Sequence, residues 1–205
     1  MTENHFLAIN TSSGSCSAAV SKHNVILKSK KIVADKGYSE LMLPLIDTLL
    51  KESGLNVRKL TGFLVCTGPG NYTSLRVAIS TTRSLSLACN KPACGISLFE
   101  ILSTNKSKVL VLIKGPAEKI YAQSFSYGLQ INDPRLLSIN EIKETEEFFG
   151  SETVGYRAQE VSRLIDSNTF KETTDISFER FVTIGLTKLK KKCPRPKPLY
   201  IKEIF

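Results

Sequence analysis

The 205-residue sequence contains no tryptophan, two methionines and two histidines. Its five cysteines (Cys16, Cys66, Cys89, Cys94 and Cys193) are odd in number and contain no CxxC pair. This excludes the common zinc-site spacings and favours unpaired thiols in a reducing compartment over a disulfide framework. His5 and His23 lie too far apart to act as HExxH or HxxxH ligands on one helix. His5 falls at the start of the chain and His23 in a polar turn, so both are read as surface residues. No Ser–His–Asp set can then be assembled. Long apolar runs are also missing. The longest purely aliphatic stretch is Val109–Ile113, far short of the roughly 20 residues of a membrane span. The opening MTENHF lacks the basic and apolar regions of an export signal, so the expected location is cytoplasmic, away from membranes. No GKS or GKT triplet is present, which rules out a P-loop.

What is present fits a globular chain. The apolar content is 41%, and this length matches one domain or two small lobes. The net charge is +9, and much of it is local. Residues 188–197, KLKKKCPRPK, hold six basic residues and no acid; the remainder of the chain stands at +3. Two readings are open for this run. It is a solvated helix end, where cations suit the macrodipole, or it contacts RNA phosphates through Lys190, Lys191, Lys192 and Arg195.

Periodicity predicts strands over Phe6–Asn10, Cys16–Ser21 and Val25–Val33, joined by tight turns. A helix follows over Ser39–Gly54, capped by Ser39 and stopped by Gly54, with Pro44 loosening its start. Gly62–Cys66 reads as a buried strand, Thr73–Cys89 as a second helix, Pro92–Ile96 as a strand and Ser97–Ser103 as a short helix. The polar STNKSK stretch (103–108) marks a boundary. Beyond it, Val109–Ile113, Ile120–Ser126 and Thr153–Gly155 read as strands. Glu141–Phe149, Ala158–Ile165 and Ser177–Lys192 read as helices. PRPKP (194–198) then enforces an extended exit.

Two stretches resemble chemistry-bearing loops. LAINTSSGSCSAAV (7–20) is a strand–turn–strand of the kind that meets phosphate, but Asn10 stands where a metal-assisting carboxylate would sit. CTGPGNYTSLR (66–76) runs from a strand end through two glycines to a helix start. It either presents N–H groups to an anion or is a tight turn. The following helix carries an unusual set of small residues, including Ser74, Ser80, Thr81, Thr82, Ser84, Ser86 and Ala88. The first helix offers six apolar positions, at 41, 42, 45, 46, 49 and 50. Together the two helices are a candidate docking face.

INTSSGSCSAAV resembles the first hairpin of the actin/hexokinase/Hsp70-like superfamily. With YSELMLPLIDTLLKESG and GPGNYTSLRVAIS, the chain resembles the TsaB family, also called YeaZ. The specific block is Gly68, Pro69, Gly70, Asn71, Tyr72 and Thr73, followed by Leu75 and Arg76. PLYIKEIF resembles the family's closing P-x-Y-L-R. The match covers about residues 6–100 and thins thereafter. Several positions depart from the family pattern. Asn10 replaces Asp, Tyr38 replaces His and Ser74 replaces Gly. IKGPAEKIY (113–121) stands where I-D-A-R-x-x-E-V-Y is usual, and GYRA (155–158) where G-D-G-A is usual.

The resemblance implies two actin-like (ASKHA, ribonuclease H-like) α/β lobes, each a mixed sheet with flanking helices, over 1–103 and 104–205. It implies a non-catalytic partner of TsaD, the subunit that transfers threonylcarbamoyl to the adenosine beside certain tRNA anticodons. It further implies a homodimer when alone, a TsaE-like ATPase in the larger complex, and ATP/ADP and metal on those partners, with no intrinsic cofactor. The expected contacts are Leu41, Leu45, Leu49, Leu75, Ile79, Thr82 and Arg83, so that Leu45→Asp would abolish pairing and leave the monomer folded. Two rivals remain: a self-contained nucleotide-dependent enzyme of the same superfamily, and an RNA-binding module working through the basic tail.

Overall fold

A computed structural model describes residues 4–191 and 193–201; Lys192 lies outside the described residues. The chain divides into two compact units. One comprises residues 1–101 and 177–199, the other 102–176 and 200–205.

The first unit is built on five strands. β1 (His5–Asn10), β2 (Ser15–Lys22) and β3 (Val25–Val33) form an antiparallel meander. Helix α1 (Tyr38–Glu52) leads to β4 (Gly62–Cys66), and α2 (Tyr72–Cys89) to β5 (Ala93–Ile96). The strand order is β3-β2-β1-β4-β5, with β4 parallel to both β1 and β5. Every residue of β1 is buried because the strand lies inside the sheet with both faces covered. That includes His5, which is 7% exposed rather than a surface residue; His23 is exposed in its turn. β3 is the outer edge, and its Lys28, Lys30 and Lys31 discourage further strand pairing.

Side chains alternate between the two faces of a strand. Leu7, Ile9, Phe63 and Val65 share a core cluster with α1 and α2. Leu64 points the other way, against Gly185 of the last helix, where an added Cβ would sit 2.6 Å from the Leu64 methyls. That helix therefore covers the opposite face of the first unit's sheet. The expected second lobe, 104–205, is corrected accordingly. The first unit's leading segment ends at Ile101, ahead of the polar 103–108 stretch, and the chain returns to it at Ser177. Burial of Phe181 and Val182 and the glycine contact at Gly185 draw it back.

α1 begins at Tyr38 behind Gly37, whose φ is +75°, and Ser39 gives no side-chain cap. A short α3 (Leu98–Leu102) closes this part of the unit.

The second unit runs β6 (Val109–Lys114), β7 (Ile120–Ser126), β8 (Leu129–Gln130), β9 (Arg135–Leu137), α4 (Ile139–Glu144), β10 (Glu152–Gly155), α5 (Ala158–Leu164) and β11 (Phe170–Glu172). Its order is β11-β10-β6-β7-β8, with β9 also paired to β7. β6 and β7 are antiparallel, and β10 is parallel to β6 and β11. This repeats the first unit's pattern of an antiparallel meander followed by parallel additions. The helix expected over Glu141–Phe149 starts earlier, because Ser138 and Glu141 form a capping box. It ends at Glu144 and gives way to a 3-10 turn over Glu146–Phe148. The last helix, α6 (Phe178–Lys190), belongs to the first unit.

One expectation about the cysteines is overturned. Cys94 on β5 and Cys193 beyond α6 form a disulfide, with Cα atoms 5.6 Å apart. They are 99 residues apart in sequence, so spacing could not suggest the pair. Cys16, Cys66 and Cys89 are free thiols.

Candidate functional site

The hairpin between β1 and β2 turns its polar groups onto itself. The Asn10 side chain is fully buried. Its Oδ1 accepts from the Ser12 backbone N–H at 3.1 Å and from the Ser12 hydroxyl at 2.5 Å. Its Nδ2 donates to the hydroxyls of Ser13 and Ser17 at 3.4 and 3.3 Å. An amide can do both, whereas an ionised carboxylate only accepts. Asn10 is thus fitted to closing the turn.

The glycine loop is stitched to that hairpin. Gly68 has φ +94°, which favours glycine. A Cβ on Gly70 would lie 2.8 Å from the Ser12 carbonyl oxygen and 2.9 Å from its Cα, so only glycine lets the loop approach so closely. Asn71 caps α2 by accepting from the N–H groups of Thr73 and Ser74. The Ser74 hydroxyl donates to the Thr11 carbonyl at 3.0 Å. A glycine at position 74 could not make this link. Of the two loop readings, the tight turn describes these contacts.

Cys66 lies beneath the junction, with Sγ 3.5 Å from the Ser12 hydroxyl. Burial pushes its thiol up from 9.0 to about 11, the hydrogen bond between Cys66 and Ser12 offsetting part of this. A pKa raised by folding gives stability that is whole below the unfolded value and is lost as pH rises through the folded one. Between pH 9 and about 11, Cys66 is therefore expected to withdraw about 2–3 kcal/mol. Urea melts of the parent and Cys66→Ala across this window check it: only the parent should lose that increment, and parallel slopes would refute it.

The α1/α2 pair does not present the expected contacts. Leu45, Leu49, Leu75, Ile79 and Thr82 are all buried in the first unit, none more than 3% exposed, and Leu41 is half-buried against the same core. Arg83 is exposed. The expectation is corrected for a simple reason: the i, i+4 apolar stripe that caught attention is the stripe facing the sheet. The α1 positions 42, 45, 46, 49 and 50 are all covered, so this stripe is not itself a docking face. Leu45→Asp would thus place a carboxylate in the core, not at an interface.

The outward side of the pair is a groove of about 420 Å³ lined by Ser39, Leu43, Thr73, Arg76, Val77, Ser80 and Thr81. Leu43 is 56% exposed, and among α1's leucines only it faces solvent to this degree. The Arg76 guanidinium stacks on Tyr72, 4.7 Å from the ring centroid, at the mouth of α2. Thr73 and Arg76, singled out as motif residues, thus join this groove, while Gly68, Pro69, Gly70 and Asn71 shape the turn behind it. The small-residue set on the second helix already held Ser80 and Thr81, whereas sequence reasoning missed Leu43 and Val77. For Leu43 the signal was available, since it lies off the core stripe of its helix; Val77 is half-buried and also packs against the core, which hides it among the stripe positions.

Tyr38, in the family's histidine position, is buried, and its hydroxyl donates to the Ala34 carbonyl at 2.5 Å. Burial, then the charge of Asp35, holds its phenol above the ordinary value. The basic run lies apart from the groove residues in sequence: Lys190 and Lys191 end α6, and Arg195 lies in the extended exit.

Both units thus have the mixed-sheet order of actin-like α/β lobes. A family model described as TsaD, tRNA N6-adenosine threonylcarbamoyltransferase, matches residues 25–187. The chain is 31% identical to the tRNA threonylcarbamoyladenosine biosynthesis protein TsaB of Buchnera aphidicola subsp. Schizaphis graminum, over 56% of this chain and 57% of that one. It is 22% identical to the same-named protein of Haemophilus influenzae, over 88% of this chain and 77% of that one. The match thus spans little more than half the length of the Buchnera relative. Pseudomonas aeruginosa YeaZ superposes with a TM-score of 0.79 at 17% identity, covering 97% of this chain and all of that one. The chain belongs to the family whose model is described as TsaD, tRNA N6-adenosine threonylcarbamoyltransferase, and within it is similar to proteins named TsaB and to YeaZ.

Proposed function

We propose that this chain is a non-catalytic scaffold that docks a TsaD-like transferase through the α1/α2 groove and so supports formation of threonylcarbamoyladenosine beside the tRNA anticodon. The observation that carries the reading is the groove itself. Small side chains at Thr73, Ser80 and Thr81 let a partner helix approach closely, and Leu43 and Val77 supply apolar contact. Alone, the chain would pair with a second copy through the same surface. In the assembly, a TsaE-like ATPase joins the pair, and ATP/ADP and metal reside on the partner subunits. The self-sufficient nucleotide enzyme is the weaker reading, because Asn10 is fully engaged within its own hairpin.

The test is size-exclusion chromatography with light scattering, on the chain alone and mixed with the TsaD-like protein of the same organism. A free dimer that gives way to a mixed complex is the expected result. A chain that ignores that protein, and instead binds ATP with magnesium in calorimetry, would overturn the reading.

A further inference from the structure

The basic tail is docked along the first unit by three anchors. Cys193 is joined to Cys94 on β5. Pro196 is buried, and an added Cβ on Gly95 would meet it at 3.4 Å. The Leu199 N–H donates to the Thr67 carbonyl at 2.9 Å, just ahead of the glycine loop. Between the anchors, Pro194, Arg195 and Lys197 are exposed, and Lys190 and Lys191 are exposed at the end of α6. Among the described residues, none of these four cations has an acidic partner, whereas Lys188 pairs with Glu100 at 2.6 Å. The helix end accounts for Lys190 and Lys191, but not for Arg195 and Lys197 beyond it. Three alternate prolines hold those two in an extended segment, roughly 6 Å apart at polyproline rise.

We infer that Lys190, Lys191, Arg195 and Lys197 form a pre-set cationic ridge that binds the phosphate backbone of RNA, held in place by the Cys94–Cys193 cross-link. The inference rests on the proposed role in tRNA modification for its choice of polyanion. Residues 190–197 contain no aromatic or aliphatic side chain to insert into a bilayer, which favours RNA over an anionic membrane. They also contain no aromatic for base stacking, so the contact is to phosphate and carries no sequence preference. Fixing the segment before binding removes ordering entropy from the association. The cross-link forms by thiol–disulfide exchange. The two thiols pass two protons and two electrons to a low-molecular-weight disulfide, which leaves as two thiols. Reducing conditions reverse it and free the tail.

The test titrates the oxidised full-length chain against an unmodified tRNA transcript over a salt series. Arg195→Gln/Lys197→Gln is expected to flatten the slope of log K against log salt by about 1.5. The charge-matched control Arg58→Gln/Lys59→Gln, exposed elsewhere on the first unit, should keep the parent slope. Cys193→Ser should keep the slope but bind roughly three- to tenfold more weakly. An unchanged slope in the Arg195/Lys197 variant overturns the ridge, and parent-like affinity in Cys193→Ser overturns the role of the cross-link. Sedimentation with phosphatidylserine vesicles that excess tRNA does not compete away would assign the ridge to membranes, and so also overturns it. Light scattering with the TsaD-like subunit runs in parallel. Loss of pairing with an intact salt slope would count against the scaffold reading and leave the ridge standing.

Discussion

Leu43→Asp is expected to abolish pairing with the TsaD-like subunit while the melting temperature stays within a few degrees of the parent. Leu45→Asp is expected to leave no folded first unit to test. The two leucines are two residues apart on α1, yet their surroundings are opposite. Leu43 is 56% exposed and lines the groove, whereas Leu45 is 3% exposed and lies in the core with Leu49 and Phe63. An acid at an exposed helical position changes stability by about 0.5 kcal/mol or less. Placed at the centre of an interface, the same acid is desolvated without a partner and costs about 2–4 kcal/mol of binding, or 30-fold and more. At position 45 the loss of a buried leucine alone costs about 2–5 kcal/mol, and the stranded carboxylate adds to it. That total is comparable with the whole stability of a domain this size. Circular dichroism melts and light scattering on both variants settle the matter. A folded Leu45→Asp chain that fails to pair would restore the original expectation, and a Leu43→Asp chain that pairs normally would remove the groove from the interface.

Much of the first unit was legible because its signals are local. The bounds of β3 and β4 agree with the periodicity, and α2 differs by one residue at its start. The hairpin turn and the glycine loop are likewise written in glycine, serine and asparagine. What failed to show were features fixed by tertiary neighbours. Apolar spacing on α1 identifies a stripe but not which partner covers it, so the core face was mistaken for the docking face. The return of α6 depends on a glycine pressing on Leu64 over a hundred residues away, and nothing in the local pattern near Ser177 marks it. The Cys94–Cys193 pair follows from that same return. β8, β9 and β11 span two or three residues each and have no room to display a period.

Gly70→Ala carries the second large effect, and it tests whether hairpin and helix form one device. The new methyl would stand 2.8 Å from the Ser12 carbonyl oxygen and 2.9 Å from Ser12 Cα. Both are backbone atoms, so relief requires moving the chain rather than turning a side chain. Ser12 cannot move alone, because its N–H and hydroxyl both donate to Asn10 Oδ1. Nor can α2 withdraw freely, since Ser74 holds the neighbouring Thr11 carbonyl. Either response leaves buried polar groups without partners, at about 1–3 kcal/mol for each group. The expected loss is about 3 kcal/mol in urea unfolding, within the range of severe backbone clashes. Docking should weaken with it even under conditions where the chain stays folded, because α2's first turn carries Thr73 and Arg76 into the groove. If Gly70→Ala melts like the parent and still pairs, the hairpin and α2 are independent elements. If it loses stability but pairs normally once folded, the junction supports the fold and leaves the docking face untouched.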